Sequence, residues 1–329
     1  MRILRCVPAA ALTPVALTIG NFDGVHLGHQ AMLARLREAA AERSLPACAM
    51  TFEPHPREFF APDQAPARLT SLREKLERLA AEGIARTYVC RFDYRFAQTP
   101  AEEFVEGTLV RGLGARYILV GDDFRFGARR AGDFALLKQH SKRLGYDVEA
   151  MSSVTLDAER VSSTAVREAL AAGDLERAAR LLGRTYSISG RVVRGDGLGR
   201  QLGFPTANVR MNHNRPPLWG IFAVEVTGAA DRVLRGVASL GVRPTVKQAA
   251  VPVLEVYLLD FSADIYGRHV RVDFLHKFRD EQKFADLAAL TVQISRDVED
   301  ARAFFAGEGA RSGDAERREA ATDKLVTNG

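Results

Sequence analysis

The stretch Gly20-Asn21-Phe22-Asp23-Gly24-Val25-His26-Leu27-Gly28-His29 carries two histidines three residues apart, with a glycine before the second. An apolar run at 15–20 precedes it and reads as a buried strand. An amphipathic run at 28–43 follows and reads as a helix. A helix start offers free N–H groups and the positive end of a dipole, which suits a phosphate. Gly28 lets an anion approach the backbone, and His26 and His29 on one face can donate to the same anion. Two surface histidines beside a turn are the plainer alternative. The order strand, glycine turn, helix favours the phosphate site.

Three further segments could complete such a site. Val161-Ser162-Ser163-Thr164-Ala165-Val166-Arg167 places hydroxyls at a helix start with Arg167 one turn in, which is a second anion site or an ordinary Ser/Thr cap beside a surface arginine. Thr51-Phe52-Glu53-Pro54-His55-Pro56 and Gly121-Asp122-Asp123-Phe124-Arg125-Phe126-Gly127 each follow a strand. Open α/β sheets bind ligands at those strand ends. Phe124 and Phe126 could stack on a flat ring or fill the core.

A different constellation occupies the second half: Gly195-Asp196-Gly197-Leu198-Gly199-Arg200-Gln201-Leu202-Gly203-Phe204-Pro205-Thr206-Ala207-Asn208. No dinucleotide fingerprint fits, because Leu stands at 202 and no βαβ pattern surrounds the glycines. Such a turn still presents N–H groups to phosphates. Thr206 and Asn208 alternate, so on a strand they share a face. Their hydroxyl and amide oxygens suit Mg²⁺. Glu255 alone would pass for a solvent-facing strand carboxylate.

The elements that must position these residues fall into two textures. From 15 to 183, strands (15–20, 47–52, 87–92, 115–121, 146–155) alternate with helices (28–43, 71–82, 99–111, 133–144, 163–182). Thr99, Pro100 and Glu102 read as a capping box with proline at the first position. Alternation of this kind implies an α/β, Rossmann-like parallel sheet with helices on both faces. From 186 to 278 come short β runs between Gly and Pro turns, then a helix at 284–305. That pattern reads as a small antiparallel β-barrel followed by a C-terminal helix. Residues 307–329 are charged and poor in large apolar groups, and read as a disordered tail. The expected domains are 1–183 and 184–306.

Composition narrows the class. The 329 residues are 47% hydrophobic and 26% charged, with a net charge of +5 from 46 basic and 41 acidic residues. That suits anionic small molecules. The charge is scattered, so no nucleic-acid partner is expected. Three separated cysteines argue against disulfides and zinc and fit a reducing, cytoplasmic setting. No apolar run reaches membrane-spanning length, so no membrane partner is expected. Arg2 and Arg5 before the apolar 7–12 run faintly suggest a signal peptide, but Pro8 and Pro14 interrupt it. The sequence sets no oligomeric state.

The HxGH motif resembles the mark of the nucleotidyltransferase superfamily. Together with SSTAVR, TFEPHP and GDDFRFG in this order, it is similar to bacterial FAD synthetase (FMN adenylyltransferase). The string GDGLGRQLGFPTAN resembles riboflavin kinase, as do Gly236–Thr245 (GVASLGVRPT), LEVYLLDF at 254–261, DIYG at 264–267 and FRDEQKF at 278–284. The whole, from about 15 to 306, resembles the bacterial bifunctional riboflavin kinase/FAD synthetase family. That resemblance implies ATP and Mg²⁺, with riboflavin, FMN and FAD as substrates or products. It implies catalytic roles for His26, His29 and Arg167 in adenylyl transfer. Asn21, Gly28, Ser162, Ser163 and Thr164 would meet ATP, and Asp23, His55, Pro56, Asp123 and Phe124 would line the flavin site. In the kinase half, Gly197, Gly199 and Gly203 would cradle phosphates, Thr206 and Asn208 would hold the metal, and Glu255 would be the base. Ser239 stands where the family usually has Asn, and Tyr257 where His is common. A chain with one live activity, or a flavin- or nucleic-acid-binding regulator without turnover, would be the rivals.

Overall fold

The computed structural model describes the backbone of residues 1–212, 215–243 and 251–326, and side chains over that span except at 243, 251 and beyond 307. The chain divides into two compact units. The first comprises Met1–Glu168 with Arg177–Arg184. The second comprises Ala169–Glu176 with Thr185–Gly329. The boundary expected after 183 thus lies at 184/185, while the helical turn at 169–176 groups with the second unit.

The first unit is built on a six-stranded, wholly parallel sheet. Its strands are β1 (Arg2–Leu4), β2 (Val15–Ile19), β3 (Ala47–Glu53), β4 (Arg86–Arg91), β5 (Ala115–Gly121) and β6 (Asp147–Met151), in the spatial order β1-β4-β3-β2-β5-β6. Every residue of β2 is buried, as expected for a central strand covered on both faces. Val15, Leu17 and Ile19 face one core with Met50, Ile118, Phe104 and Leu137. Ala16 faces the other with Leu33, Leu36, Leu79 and Leu119.

The helices of this unit are α1 (Leu27–Glu42), α2 (Pro56–Phe60), α3 (Leu72–Ala81), α4 (Tyr94–Ala97), α5 (Ala101–Glu103), α6 (Phe134–Leu144), α7 (Ser163–Ala172) and α8 (Leu175–Leu182), the last two straddling the boundary. Arg2–Leu4 forms an edge strand paired with β4. Two expectations change. The capping box at Thr99 does not form: Pro100 takes the cap position without a side-chain bond, and α5 runs into a π-helical stretch at Phe104–Gly112. The run at 146–155 breaks after Met151 into a hairpin of β7 (Thr155–Leu156) and β8 (Glu159–Arg160). In α3, Lys75 is buried along with Leu79.

The second unit is a closed antiparallel barrel of β9 (Ser187–Val193), β10 (Thr206–Arg210), β11 (Gly220–Thr227), β12 (Leu234–Arg243), β13 (Val251–Leu258) and β14 (His269–Arg279). A short α9 (Leu198–Gln201) joins β9 to β10. Leu254, Val256 and Leu258 are buried while Glu255 and Tyr257 are half-buried, so β13 shows the two-residue alternation of a barrel wall. The last helix, α10 (Leu287–Val326), packs Val298, Ala301 and Phe305 against Ile221 and Val237. Its backbone continues through 307–326, where a disordered tail was expected. That stretch is rich in Ala, Glu and Arg, strong helix formers.

Arg279 at the end of β14 forms a two-pronged pair with Asp297 of α10, at 2.8 and 2.6 Å, and Gln293 adds a bond at 2.9 Å. Both charged side chains are largely buried. Removing one partner strands the other charge. Asp297→Ala should therefore destabilise this unit by about 3 kcal/mol. Urea unfolding followed by the fluorescence of Trp219, the chain's single tryptophan, measures it.

Candidate active sites

The first site forms around the loop from β2 into α1. Phe22, Gly24 and Val25 all have positive φ, at 47°, 83° and 41°. For a buried phenylalanine and a β-branched valine that conformation is strained and persists only where surroundings hold it. Arg184 and Gln30 both donate to the Val25 carbonyl, at 3.0 and 2.9 Å. Arg184 also reaches the Gly24 carbonyl, and Thr70 Oγ1 accepts from Gly24 N–H at 3.1 Å.

His26 is the N-cap of α1. Its Nδ1 accepts from the His29 N–H at 3.3 Å. That use of Nδ1 leaves the proton of a neutral ring on Nε2, free to donate outward. The His26 and His29 rings stack with centroids 3.7 Å apart. A Cβ at Gly28 would press on the His26 ring at 3.2 Å. Gly28 is thus required by the histidine packing, besides any approach of a phosphate.

Burial drives the His26 pKa down to about 4, assisted by Arg167 and Arg184 and opposed by Asp23. Burial likewise holds His29 well below the usual range, with His26 and Lys75 pushing the same way. Both rings are neutral near pH 7. The Nδ1 of His29 is buried without a hydrogen-bond partner.

Asp23 is 4% exposed. Its carboxylate accepts from Leu69 N–H at 3.1 Å, Thr70 N–H at 3.0 Å and Thr70 Oγ1 at 3.1 Å, and it pairs with Arg167. Burial raises its pKa, but Arg167, Lys75 and the two N–H groups outweigh that and leave it lowered. Asp23 was expected to line the flavin site. Its oxygens are filled by protein donors, so it ties the loop together. Arg167 also donates to the Ala67 carbonyl. Ser162 caps α7 by accepting from Ala165 N–H at 3.1 Å, and Ser163 donates to the Asp23 carbonyl at 2.9 Å. The plainer cap reading therefore holds for Ser162, while Thr164 is exposed.

The segment after β3 is ordered in the same manner. His55 caps α2 by accepting from Arg57 N–H at 3.1 Å, with Pro56 at the first helical position. Burial lowers the His55 pKa to about 4, against the opposing charge of Asp23. Arg68 joins Glu53, at 2.7 and 3.0 Å, to Glu58. After β5, Phe124 stacks on Phe126, which is buried. Asp123 is largely exposed and paired with Arg160 at 2.7 Å. Asn21 is exposed, and only its carbonyl is engaged, by Thr51.

The second site follows from barrel register. Asn208 of β10 lies opposite Glu255 of β13, and Glu255 opposite Ser239 of β12. One row along, Thr206 faces Tyr257, and Tyr257 faces Val237. Thr206, Ser239, Glu255 and Tyr257 line a cavity of about 440 Å³, closed on another side by Leu290, Ile294 and Val298 of α10. A neighbouring cavity of about 370 Å³ is lined by Arg194, Arg200, Thr206 and Asn208. Gly197 and Thr206 border both. Gly197 is left-handed, at φ 75°. A Cβ at Gly199 would meet the Phe204 carbonyl at 2.4 Å, and one at Gly195 the Asn208 amide at 2.5 Å. Gly203, expected at a phosphate, borders neither cavity. Its φ of 87° makes it the turn residue after α9.

Family models agree with this division. An FAD synthetase model matches residues 9–165 and a riboflavin kinase model residues 182–305. The chain is 50% identical to a bifunctional riboflavin kinase/FMN adenylyltransferase of Haemophilus influenzae, covering 93% of this chain and 99% of that one. It is 49% identical to the Escherichia coli protein of the same description, over 93% and 98%. The chain belongs to the bifunctional riboflavin kinase/FMN adenylyltransferase family. A solved structure described as a macrolide-efflux protein of Streptococcus pneumoniae has the same fold, with a TM-score of 0.78 at 29% identity, over 92% of this chain and 99% of that one. Among the described residues, no helix is long and apolar enough to cross a membrane.

Within that family assignment, the adenylyltransferase unit brings His26, His29, Asp23, Ser163 and Arg167 into one network. The kinase unit brings Gly197, Gly199, Thr206, Asn208 and Glu255 to two adjoining cavities. The departures at Ser239 and Tyr257 both fall on the larger cavity wall, where Tyr257 meets Phe204 edge-on at 5.6 Å. Pro244 and Thr245 of the family-like string lie outside the described residues. Sequence reading missed Arg184, Arg68 and Lys75. Only Lys75 gave a signal, sitting three residues after Leu72 and four before Leu79, on an apolar helical stripe.

The buried histidines set a pH dependence of stability. Their folded pKa values lie below the ordinary value of about 6.5. Between there and about 4, for His26 and His55, the unfolded chain binds protons that the folded chain does not. Stability therefore falls with pH in this window, by up to about 1.4 kcal/mol per pH unit for each histidine. Thermal melting between about pH 7.5 and 5 should show the decline. His55→Asn, which keeps a capping acceptor but cannot titrate, should make it shallower.

Proposed function

We propose that this chain phosphorylates riboflavin to FMN in the barrel unit and adenylylates FMN to FAD in the α/β unit, with ATP as donor in both. The observation that carries the reading is the presence of two separate sites with different chemical equipment, in a chain that belongs to the bifunctional family.

In adenylyl transfer, an oxygen of the FMN phosphate attacks the α-phosphorus of ATP. The bond to the β-phosphate oxygen breaks and pyrophosphate leaves. The nucleophile is already ionised, so no base is needed, only positioning and charge stabilisation. Two neutral imidazoles, each with an N–H to donate, answer that need. His26 is fixed by its capping bond and His29 by the stack. Arg167, Ser163 and Thr164 supply the ATP side. His55, Pro56 and Phe124 supply the flavin side, and Asp23 holds the two sides together.

In phosphoryl transfer the nucleophile is the ribityl 5′-hydroxyl, a neutral alcohol. Its oxygen attacks the γ-phosphorus, its proton passes to Glu255, and ADP leaves. Asn208 and Thr206 stand on the same face of β10, beside the glycine turn that receives phosphates. Their donor set fits Mg²⁺: two hard neutral oxygens, with room for phosphate oxygens and water. The ion, when bound, neutralises charge on the ATP phosphates. The larger cavity, with Tyr257 and Phe204, receives the flavin ring.

Separating flavins by chromatography after mixing the protein with riboflavin, ATP and Mg²⁺ tests the reading. FMN should appear first and FAD after it. His26→Asn keeps the helix cap but removes the imidazole. It should cut FAD formation by about a hundredfold or more and spare FMN formation. Glu255→Gln should do the reverse, with FAD still made from supplied FMN. Loss of both activities in either variant, with the fold intact, would contradict two independent sites.

A further inference from the structure

Lys75, in the second turn of α3, is 3% exposed. Its ammonium makes no hydrogen bond or ion pair with any described residue. The acids whose charge it feels are Asp23, Glu53 and Glu58, and each is committed elsewhere. Asp23 serves Arg167, Leu69 and Thr70. Glu53 and Glu58 serve Arg68. For a lysine this deeply buried, an ammonium without a protein partner is costly, and burial accordingly lowers its pKa. Such unpaired buried charge concentrates at functional sites.

Its surroundings indicate the partner. Apart from His29, the charged or titratable groups coupled to Lys75 are Asp23, Glu53, Glu58, Arg68 and His55. Three of these five, His55, Glu58 and Arg68, belong to the segment after β3, and Glu53 ends that strand. His29 also feels the charge of Lys75, so this side chain lies within electrostatic reach of both that segment and the histidine pair. We infer that Lys75 binds the phosphate of FMN and delivers it to the histidine pair for attack on ATP. This rests on the adenylyl-transfer reading above. The chemistry calls for such a cation, because two anionic phosphates must be brought into contact. A dianionic phosphate would supply the partner that the folded chain withholds.

The test uses the full chain, with FMN and ATP varied separately and FAD formation measured. Lys75→Met removes the charge at similar volume. It should raise KM for FMN about ten- to a hundredfold, as for loss of a charged hydrogen bond, and leave KM for ATP within about twofold. Lys75→Arg should recover part of the loss. FMN formation from riboflavin should be unchanged, and the preserved KM for ATP in FAD formation reports an intact α/β unit. If the methionine variant fails to fold, Lys75→Gln is judged by the same criteria. An unchanged KM for FMN, or a rise confined to KM for ATP, would overturn the assignment. A wild-type chain that makes no FAD from FMN would remove the adenylyl-transfer reading, and the assignment with it.

Discussion

The α/β unit depends on one buried carboxylate. Asp23 sits in a loop whose neighbours Phe22, Gly24 and Val25 adopt left-handed backbone. Strain there has to be offset by bonds formed only in the folded chain. Asp23 supplies them to two other segments at once, the turn before α3 and Arg167 of α7. Desolvation of the carboxylate is costly, but four donors and two nearby cations keep it ionised. His26, three residues on, is thereby delivered to the start of α1, where it caps the helix.

The barrel unit solves its problem by register. Sheet pairing places Asn208, Glu255 and Ser239 in one row and Thr206, Tyr257 and Val237 in the next. No strained loop is needed to align Glu255 with Asn208 and Thr206, because side chains two apart on one strand already share a face. Close backbone approach supplies the rest. Gly195 and Gly199 leave the space that Asn208 and Thr206 occupy. The Arg279–Asp297 pair fastens α10 beside the larger cavity.

Much of this was legible in the sequence, for physical reasons. The strand–helix alternation and the short β runs gave both architectures, because periodicity reports which faces are buried. Motif glycines and hydroxyls marked the strand ends where chemistry sits. What escaped reading were long-range commitments. Nothing local says that Asp23 would meet Leu69, Thr70 and Arg167, or that Arg184 would hold the Val25 carbonyl from 159 residues away. Ser162 looked like an anion ligand and serves as a cap. The Thr99 box failed because Pro100 took the cap position and a π-helical stretch followed. Local signals compete with tertiary ones, and at these positions the tertiary ones prevailed.

The two units also divide acid–base work as their nucleophiles require. A phosphate nucleophile arrives ionised, and a basic group beside it would gain nothing by taking a proton. The α/β unit accordingly buries its histidines until they stay neutral, where each is a donor and neither carries charge that would need its own counter-ion. Neutrality has a second consequence. Two imidazolium rings could not stack at 3.7 Å without strong repulsion, whereas neutral rings can. The burial that lowers the pKa is thus also the condition for holding the two rings side by side. An alcohol nucleophile must instead lose a proton during attack, so its site presents a half-buried carboxylate in the cavity wall.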